Sequence, residues 1–125
     1  MARILIIDDS LTELQKLTVM LERLGHQVLK AANGADGVAL ARQELPDAVL
    51  MDIVMPGLNG FQATRQLTKD EDTARIPIII VTSKDQETDK VWGARQGARA
   101  YLTKPFEESA LVAALDSALA PQAGA

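Results

Sequence analysis

The sequence predicts an α/β fold: a doubly wound, five-stranded parallel sheet with helices on both faces. Three observations carry this. Short apolar runs rich in Ile, Val and Leu recur along the chain, each bounded by turn residues, as strands buried on both faces require. Segments with apolar residues at helical spacing separate them, so strand and helix alternate. The connections are short, which calls for parallel strands joined by right-handed crossovers. At 125 residues the chain suits one domain, expected over 1–120, followed by a flexible tail over 121–125.

The first strand spans Arg3 to Ile7 and switches abruptly to Asp8-Asp9-Ser10. Ser10 and Glu13 have the spacing of a capping box. Leu14, Leu17, Leu21 and Leu24 then form an apolar helical stripe, and Gly25 suits the position just past a helix end. Residues Gln27 to Ala31 make a less apolar strand, nearer an edge. Asn33 caps a helix from Ala35 to Leu45, with Gly34 and Gly37 weakening its start and Pro46 stopping it.

The next strand, Ala48 to Asp52, ends in a lone carboxylate, and Pro56 and Gly57 break the chain after it. A helix follows from Gly60 to Lys69, with Phe61, Ala63, Thr64 and Leu67 on one side. Lys69 to Thr73 reads as a solvated loop. Pro77 precedes Ile78 to Val81, a β-branched run ending in Thr82-Ser83. A helix from Gln86 to Arg95 leads through Gly97 to the strand Ala100 to Thr103, which ends in Lys104-Pro105. The last helix runs from Glu107 to Leu119, with Leu111, Val112, Leu115 and Leu119 inward. Residues Pro121 to Ala125 read as frayed.

Composition narrows the function. The chain is 47% hydrophobic and 24% charged, within the globular range. It has no cysteine, hence no disulfide, thiol nucleophile or zinc–thiolate site. Met1-Ala2-Arg3-Ile4 enters a strand directly, so no signal peptide is expected, and no apolar run approaches the roughly 20 residues of a membrane span. These features predict a cytoplasmic protein without membrane insertion. A net charge of −4 argues against a nucleic-acid surface and leaves room for a cation or a basic partner.

Four strands end in Asp8-Asp9, Asp52, Thr82-Ser83 and Lys104-Pro105, and a parallel sheet brings these ends to one edge. Three carboxylates, a hydroxyl and an ammonium therefore surround one crevice. Crowded carboxylates raise one another's pKa unless a cation offsets them. Oxygen ligands without His or Cys suit Mg²⁺ better than Zn²⁺. A carboxylate beside Mg²⁺ and Lys⁺ can attack a phosphoryl group to give an aspartyl phosphate, with Thr82 donating to a phosphoryl oxygen. Taken singly, each residue has a plainer role: Asp52 as a turn cap, Asp8 and Asp9 as helix-terminus charges, Thr82 as a strand end, Lys104 as a solvated charge. The shared edge makes the group specific. His26 sits past a helix end, where a cation is favoured. Trp92 and the methionines read as packing groups. No glycine-rich phosphate loop followed by Lys-Ser/Thr is present, so nucleotide binding has no support.

Asp8-Asp9, Met51-Asp52, Met55-Pro56-Gly57, Gly60, Thr82-Ser83 and Lys104-Pro105 together resemble the receiver domain of two-component response regulators, over nearly the whole chain. The resemblance implies a flavodoxin-like receiver fold. It implies Asp52 as phosphoacceptor, Mg²⁺ held by Asp8, Asp9, Asp52 and the Val54 backbone carbonyl, Lys104 on the phosphoryl group, Thr82 and Tyr101 as switch residues, and a cis Lys104–Pro105 bond. It further implies phosphotransfer from a histidine kinase phosphotransfer domain. The stretches Met51 to Arg65 and Lys84 to Gly93 look like stand-alone receivers of type IV pilus twitching motility, implying a downstream motility or pilus protein as partner.

Three other readings compete. A Mg²⁺-dependent phosphohydrolase also uses an aspartyl phosphate but needs an acid two residues after the nucleophile, where this chain has Val54. A receiver can also act as a phosphate sink without direct output. A degenerate receiver that only binds partners is disfavoured by the intact acid, hydroxyl and lysine set. Beyond its own phosphorylation and dephosphorylation, no enzyme activity is expected.

Overall fold

The computed structural model describes residues 1–120. Five parallel strands, β1 (Arg3–Ile7), β2 (Gln27–Ala31), β3 (Ala48–Met51), β4 (Ile78–Thr82) and β5 (Ala100–Thr103), lie in the order β2-β1-β3-β4-β5. Between and after them run α1 (Leu11–Arg23), α2 (Gly34–Glu44), α3 (Gly60–Lys69), α4 (Glu87–Gln96) and α5 (Glu108–Leu119). This is the doubly wound sheet that the sequence predicts. The expected tail, 121–125, lies outside the described residues.

Side chains alternate across the sheet, so each central strand feeds two cores. Ile4, Ile6, Leu50, Ile79 and Val81 pack with Leu14, Leu17 and Leu21 of α1 and Leu111 and Leu115 of α5. Leu5, Ile7, Val49, Met51 and Ile78 face the other way, against Val38 and Ala41 of α2 and Ala63 and Leu67 of α3. All side chains of β3 and β4 are buried, which explains their unbroken apolar runs, whereas β2 is half-buried at the edge.

Several local expectations are corrected. Leu24 does not extend the α1 stripe; it is the exposed C-cap residue, and Thr18 takes a buried place instead, donating to the Leu14 carbonyl at 2.6 Å. The Ser10–Glu13 box is half made: Ser10 Oγ accepts from the Glu13 N–H, but the Glu13 carboxylate turns elsewhere. A full box forms at α3, where Asn59 and Gln62 satisfy each other's backbone N–H. Helix α2 starts at Gly34, a residue earlier than expected, and ends before Leu45, which adopts the left-handed conformation at φ 48°. Phe61, Val112 and Leu119 are only half-buried, while Ala118 is buried. Thr73, expected in solvent, is buried and donates to the Leu67 carbonyl. His26, past the end of α1, accepts a hydrogen bond at Nδ1 from the Ala2 N–H at 3.1 Å.

Helix α4 is the most lightly anchored. It buries only Gly93 and Gln96, and its N-terminus has no side-chain cap. A Cβ on Gly93 would come within 2.7 Å of Ile80 Cδ1, so glycine is what lets the helix approach β4. Trp92 is not a packing group of the core; it is 49% exposed on the outer face of α4.

Candidate functional site

Because the strands are parallel, the carboxyl ends of β1, β3, β4 and β5 open onto one crevice. Asp8 follows β1 and is almost fully buried. Its N–H donates to the Ala31 carbonyl, Oδ1 accepts from the Ser10 N–H at 2.9 Å, and Oδ2 accepts from Lys104 Nζ at 2.8 Å. Asp9, next in the chain, is exposed at the crevice mouth. Asp52 follows β3, its N–H pinned to the Ile7 carbonyl at 2.9 Å and its Oδ1 accepting from the Ile53 N–H at 2.8 Å. One oxygen from each of Asp8, Asp9 and Asp52 lies within 4.8 Å of the others.

Lys104 reaches in from the end of β5. Its N–H donates to the Thr82 carbonyl at 2.8 Å, its peptide bond to Pro105 is cis, and its Nζ stands 3.8 Å from Asp52 Oδ2. Thr82 is fully buried at the end of β4, and its hydroxyl lies on the Asp52 side, accepting from the Lys84 N–H at 3.4 Å. The structure thus brings together Asp8, Asp9, Asp52, Thr82 and Lys104. It does not bring in Tyr101, whose hydroxyl instead donates to the Lys84 carbonyl at 2.6 Å in the β4–α4 loop, nor the Val54 side chain, which is 59% exposed.

Electrostatics follow from this packing. Burial, then the charge of Asp8, raises the Asp52 pKa above 3.8, against the lowering effects of Lys104, Thr82 and the Ile53 N–H. For Lys104, burial opposes the charged form, but the hydrogen bond to Asp8 and the charges of Asp52, Asp8 and Glu13 outweigh it and raise its pKa. The ammonium therefore stays charged. Burial, then Asp89 and Asp85, pushes the Tyr101 phenol up to about 12, so it remains a donor. One lysine cannot balance three acids. The surplus negative charge and all-oxygen donor set fit a hard divalent cation such as Mg²⁺.

Two features of the site are less visible in the sequence. Gly60 lies against the chain at Asp52: a Cβ there would overlap the Asp52 carbonyl oxygen and come within 2.7 Å of Ile53 Cα. Gly60→Ala should therefore displace the Asp52 backbone and cost about 1–3 kcal/mol, the usual penalty of overpacking, read as a lower denaturant midpoint. An unchanged midpoint would mean the loop after β3 yields freely. The second feature is Glu13, read at first as a cap. Its Oε2 lies 3.8 Å from Lys104 Nζ, on the wall of a groove of about 500 Å³ shared with Leu17, Met20, Pro105 and Phe106. Its place one turn into the helix after Asp8 was the only signal.

Comparison with known proteins agrees with this geometry. Residues 4–116 match the model of the response regulator receiver domain. The chain is 75% identical over 120 residues to Protein PilH of Pseudomonas aeruginosa, covering 96% of this chain and 99% of that protein. It is 40% identical to the phosphate regulon transcriptional regulatory protein PhoB of the same organism, over 93% of this chain but only 51% of that longer protein. Among solved structures, Vibrio cholerae chemotaxis protein CheY4 matches with a TM-score of 0.89 at 29% identity, covering 95% of this chain and 99% of that one. The receiver domain of sensor histidine kinase PA1611 from Pseudomonas aeruginosa matches with a TM-score of 0.88 at 32% identity, covering 94% and 97%. That structure has a magnesium ion coordinated in its active-site cleft.

Proposed function

Since the chain belongs to the response regulator receiver family, we propose that it works as a stand-alone response regulator, taking a phosphoryl group from a histidine kinase phosphotransfer domain onto Asp52. In that step a P–N bond to the donor histidine breaks and a P–O bond to an Asp52 carboxylate oxygen forms, while the released imidazole takes up a proton. The observation that carries this reading is the convergence of Lys104 on Asp8 and Asp52, at 2.8 and 3.8 Å, with the buried Thr82 hydroxyl beside them.

Each residue has a distinct task. Asp52 supplies the attacking oxygen, and its carboxylate is oriented by the Ile53 N–H, which donates to Oδ1. Lys104 is kept charged and close by Asp8 and pairs with a phosphoryl oxygen. Thr82 donates to another. Asp8, Asp9 and Asp52, with the Val54 backbone carbonyl, would hold Mg²⁺, whose charge offsets the phosphoryl oxygens when bound. No described residue offers a carboxyl group two positions after Asp52, which disfavours a phosphohydrolase.

The likeness to PilH supports a role in type IV pilus and twitching motility, in the cytoplasm, through a downstream motility or pilus protein. No helix among the described residues is long and apolar enough to cross a membrane. The partner docks on the surface of α4, β5 and α5, where Trp92 and Val91 are exposed and Tyr101 is half-buried.

Incubation with a small phosphodonor and Mg²⁺, followed by mapping of the label to Asp52, tests the reading; release of phosphate from an external phosphomonoester would favour the hydrolase instead. The metal set has its own test. Asp9→Ala should weaken Mg²⁺ binding by about tenfold or more, because affinity in such sites follows the number of charged ligands. Isothermal titration showing wild-type affinity would return Asp9 to the role of a helix-terminus charge.

A further inference from the structure

The Glu13 carboxylate is diverted from the capping role its spacing predicts. Its backbone N–H donates to the Ser10 cap, but its side chain leaves the box and divides its two oxygens between lysines. Oε1 lies 4.0 Å from Lys16 Nζ, and Oε2 lies 3.8 Å from Lys104 Nζ. Lys104 thus stands among three carboxylates. Asp8 holds it at 2.8 Å, while Glu13 and Asp52 compete for it at the same 3.8 Å from opposite elements, α1 and the end of β3.

We propose that Glu13 is a positioning residue for Lys104: from the first turns of α1 it holds the ammonium toward the helix and restrains its movement onto a phosphoryl group at Asp52. The proposal rests on the reading of Asp52 as phosphoacceptor. Its physical basis is simple. The Lys104 side chain is 15% exposed, so few waters compete for its hydrogen-bonding positions, and each carboxylate in reach fixes part of its orientation. A phosphoryl group on Asp52 can gain Lys104 only as far as the lysine leaves its resting partners. Asp8 is buried and cannot follow; Glu13 is the more exposed of the two and, among the described residues, its carboxylate is tied only by lysines. Removing its charge therefore frees Lys104 without exposing an unpaired buried group. The backbone cap at Glu13 is untouched by a side-chain substitution, so α1 remains intact.

The test compares wild type, Glu13→Gln and Glu13→Asp with a small phosphodonor in Mg²⁺, so that no protein donor has to dock. Glu13→Gln should label about two- to fivefold faster, the scale of a half-exposed ion pair, with the gain in the maximal rate and not in the donor concentration required. Glu13→Asp should fall between the two. Side-chain NMR of the metal-free protein supplies the second readout: Lys104 side-chain resonances should shift in Glu13→Gln while the α1 amides after the substituted turn keep their positions. An unchanged or slower rate would overturn the proposal. So would a faster rate with Lys104 resonances unmoved, since that assigns the gain to net charge near the crevice. Should wild type fail to label at all, the reading of Asp52 fails, and the metal-free NMR comparison still decides whether Glu13 positions Lys104.

Discussion

Asp52→Ala should abolish labelling by any phosphodonor while leaving the fold intact. The carboxylate is the only one of the three acids on a central strand end that lies within reach of both the Lys104 ammonium and the Thr82 hydroxyl. Asp8 is buried and already committed to Ser10 and Lys104, and Asp9 is exposed at the mouth. Neither can take over as nucleophile. Persistent stoichiometric labelling of the variant would remove Asp52 from its role. The companion variant Asp52→Asn should also be more stable than wild type near neutral pH. Burial and Asp8 raise the Asp52 pKa in the folded state, so ionisation costs more in the fold than in the unfolded chain. That penalty is complete once pH exceeds the raised folded value and vanishes below the unfolded value of 3.8, where both states are protonated. The stability gain of Asp52→Asn should therefore fade as pH drops toward that value. A gain that persists in acid would need another cause.

The second large effect falls on output. Thr82→Ala should leave phosphorylation possible but disconnect it from partner binding. Thr82 is fully buried, two register positions from the Ile80–Tyr101 pair that joins β4 to β5. A phosphoryl group at Asp52 adds acceptor oxygens that draw the Thr82 hydroxyl inward, away from the Lys84 N–H it now receives. The β4–α4 loop, which Tyr101 clasps through the Lys84 carbonyl, then loses one of its ties. Helix α4 is poised to respond, with two buried residues and an uncapped start. Without the hydroxyl, the phosphorylated and resting states present the same surface. Coupling of this kind is worth about 1–3 kcal/mol, so phosphorylation should strengthen partner binding by about tenfold in wild type and scarcely at all in Thr82→Ala. Equal enhancement in both proteins would place the switch elsewhere.

Much of this was legible in the sequence because the sheet is parallel and fully buried. Strands β1, β2 and β5 and helix α3 fall on the boundaries that apolar runs and breakers predict, and every crevice residue stands at a strand end. What escaped depended on side-chain direction. The Ser10–Glu13 spacing fits a capping box, yet Lys104, distant in sequence, outcompetes the backbone for the carboxylate. Leu24 fits the α1 stripe by spacing, but the helix has already ended. Trp92 reads as core by composition, but the close approach of Gly93 to Ile80 turns it outward. His26 sits past a helix end, but its bond from the Ala2 N–H comes from the far end of the preceding strand and helix. Apart from the helix end at Leu24, each is a long-range contact that no local pattern encodes.

The central claim is that a phosphoryl group on Asp52 reaches the α4–β5 surface through Thr82. Amide NMR during titration with beryllofluoride and Mg²⁺, which mimic the phosphoryl group on a carboxylate, tests it most directly. Shifts should begin at Asp52 and Lys104, continue through Thr82 and Lys84, and extend to Tyr101 and the start of α4. Shifts confined to Asp8, Asp9, Asp52 and Lys104, with Thr82 and Tyr101 unmoved, would contradict it.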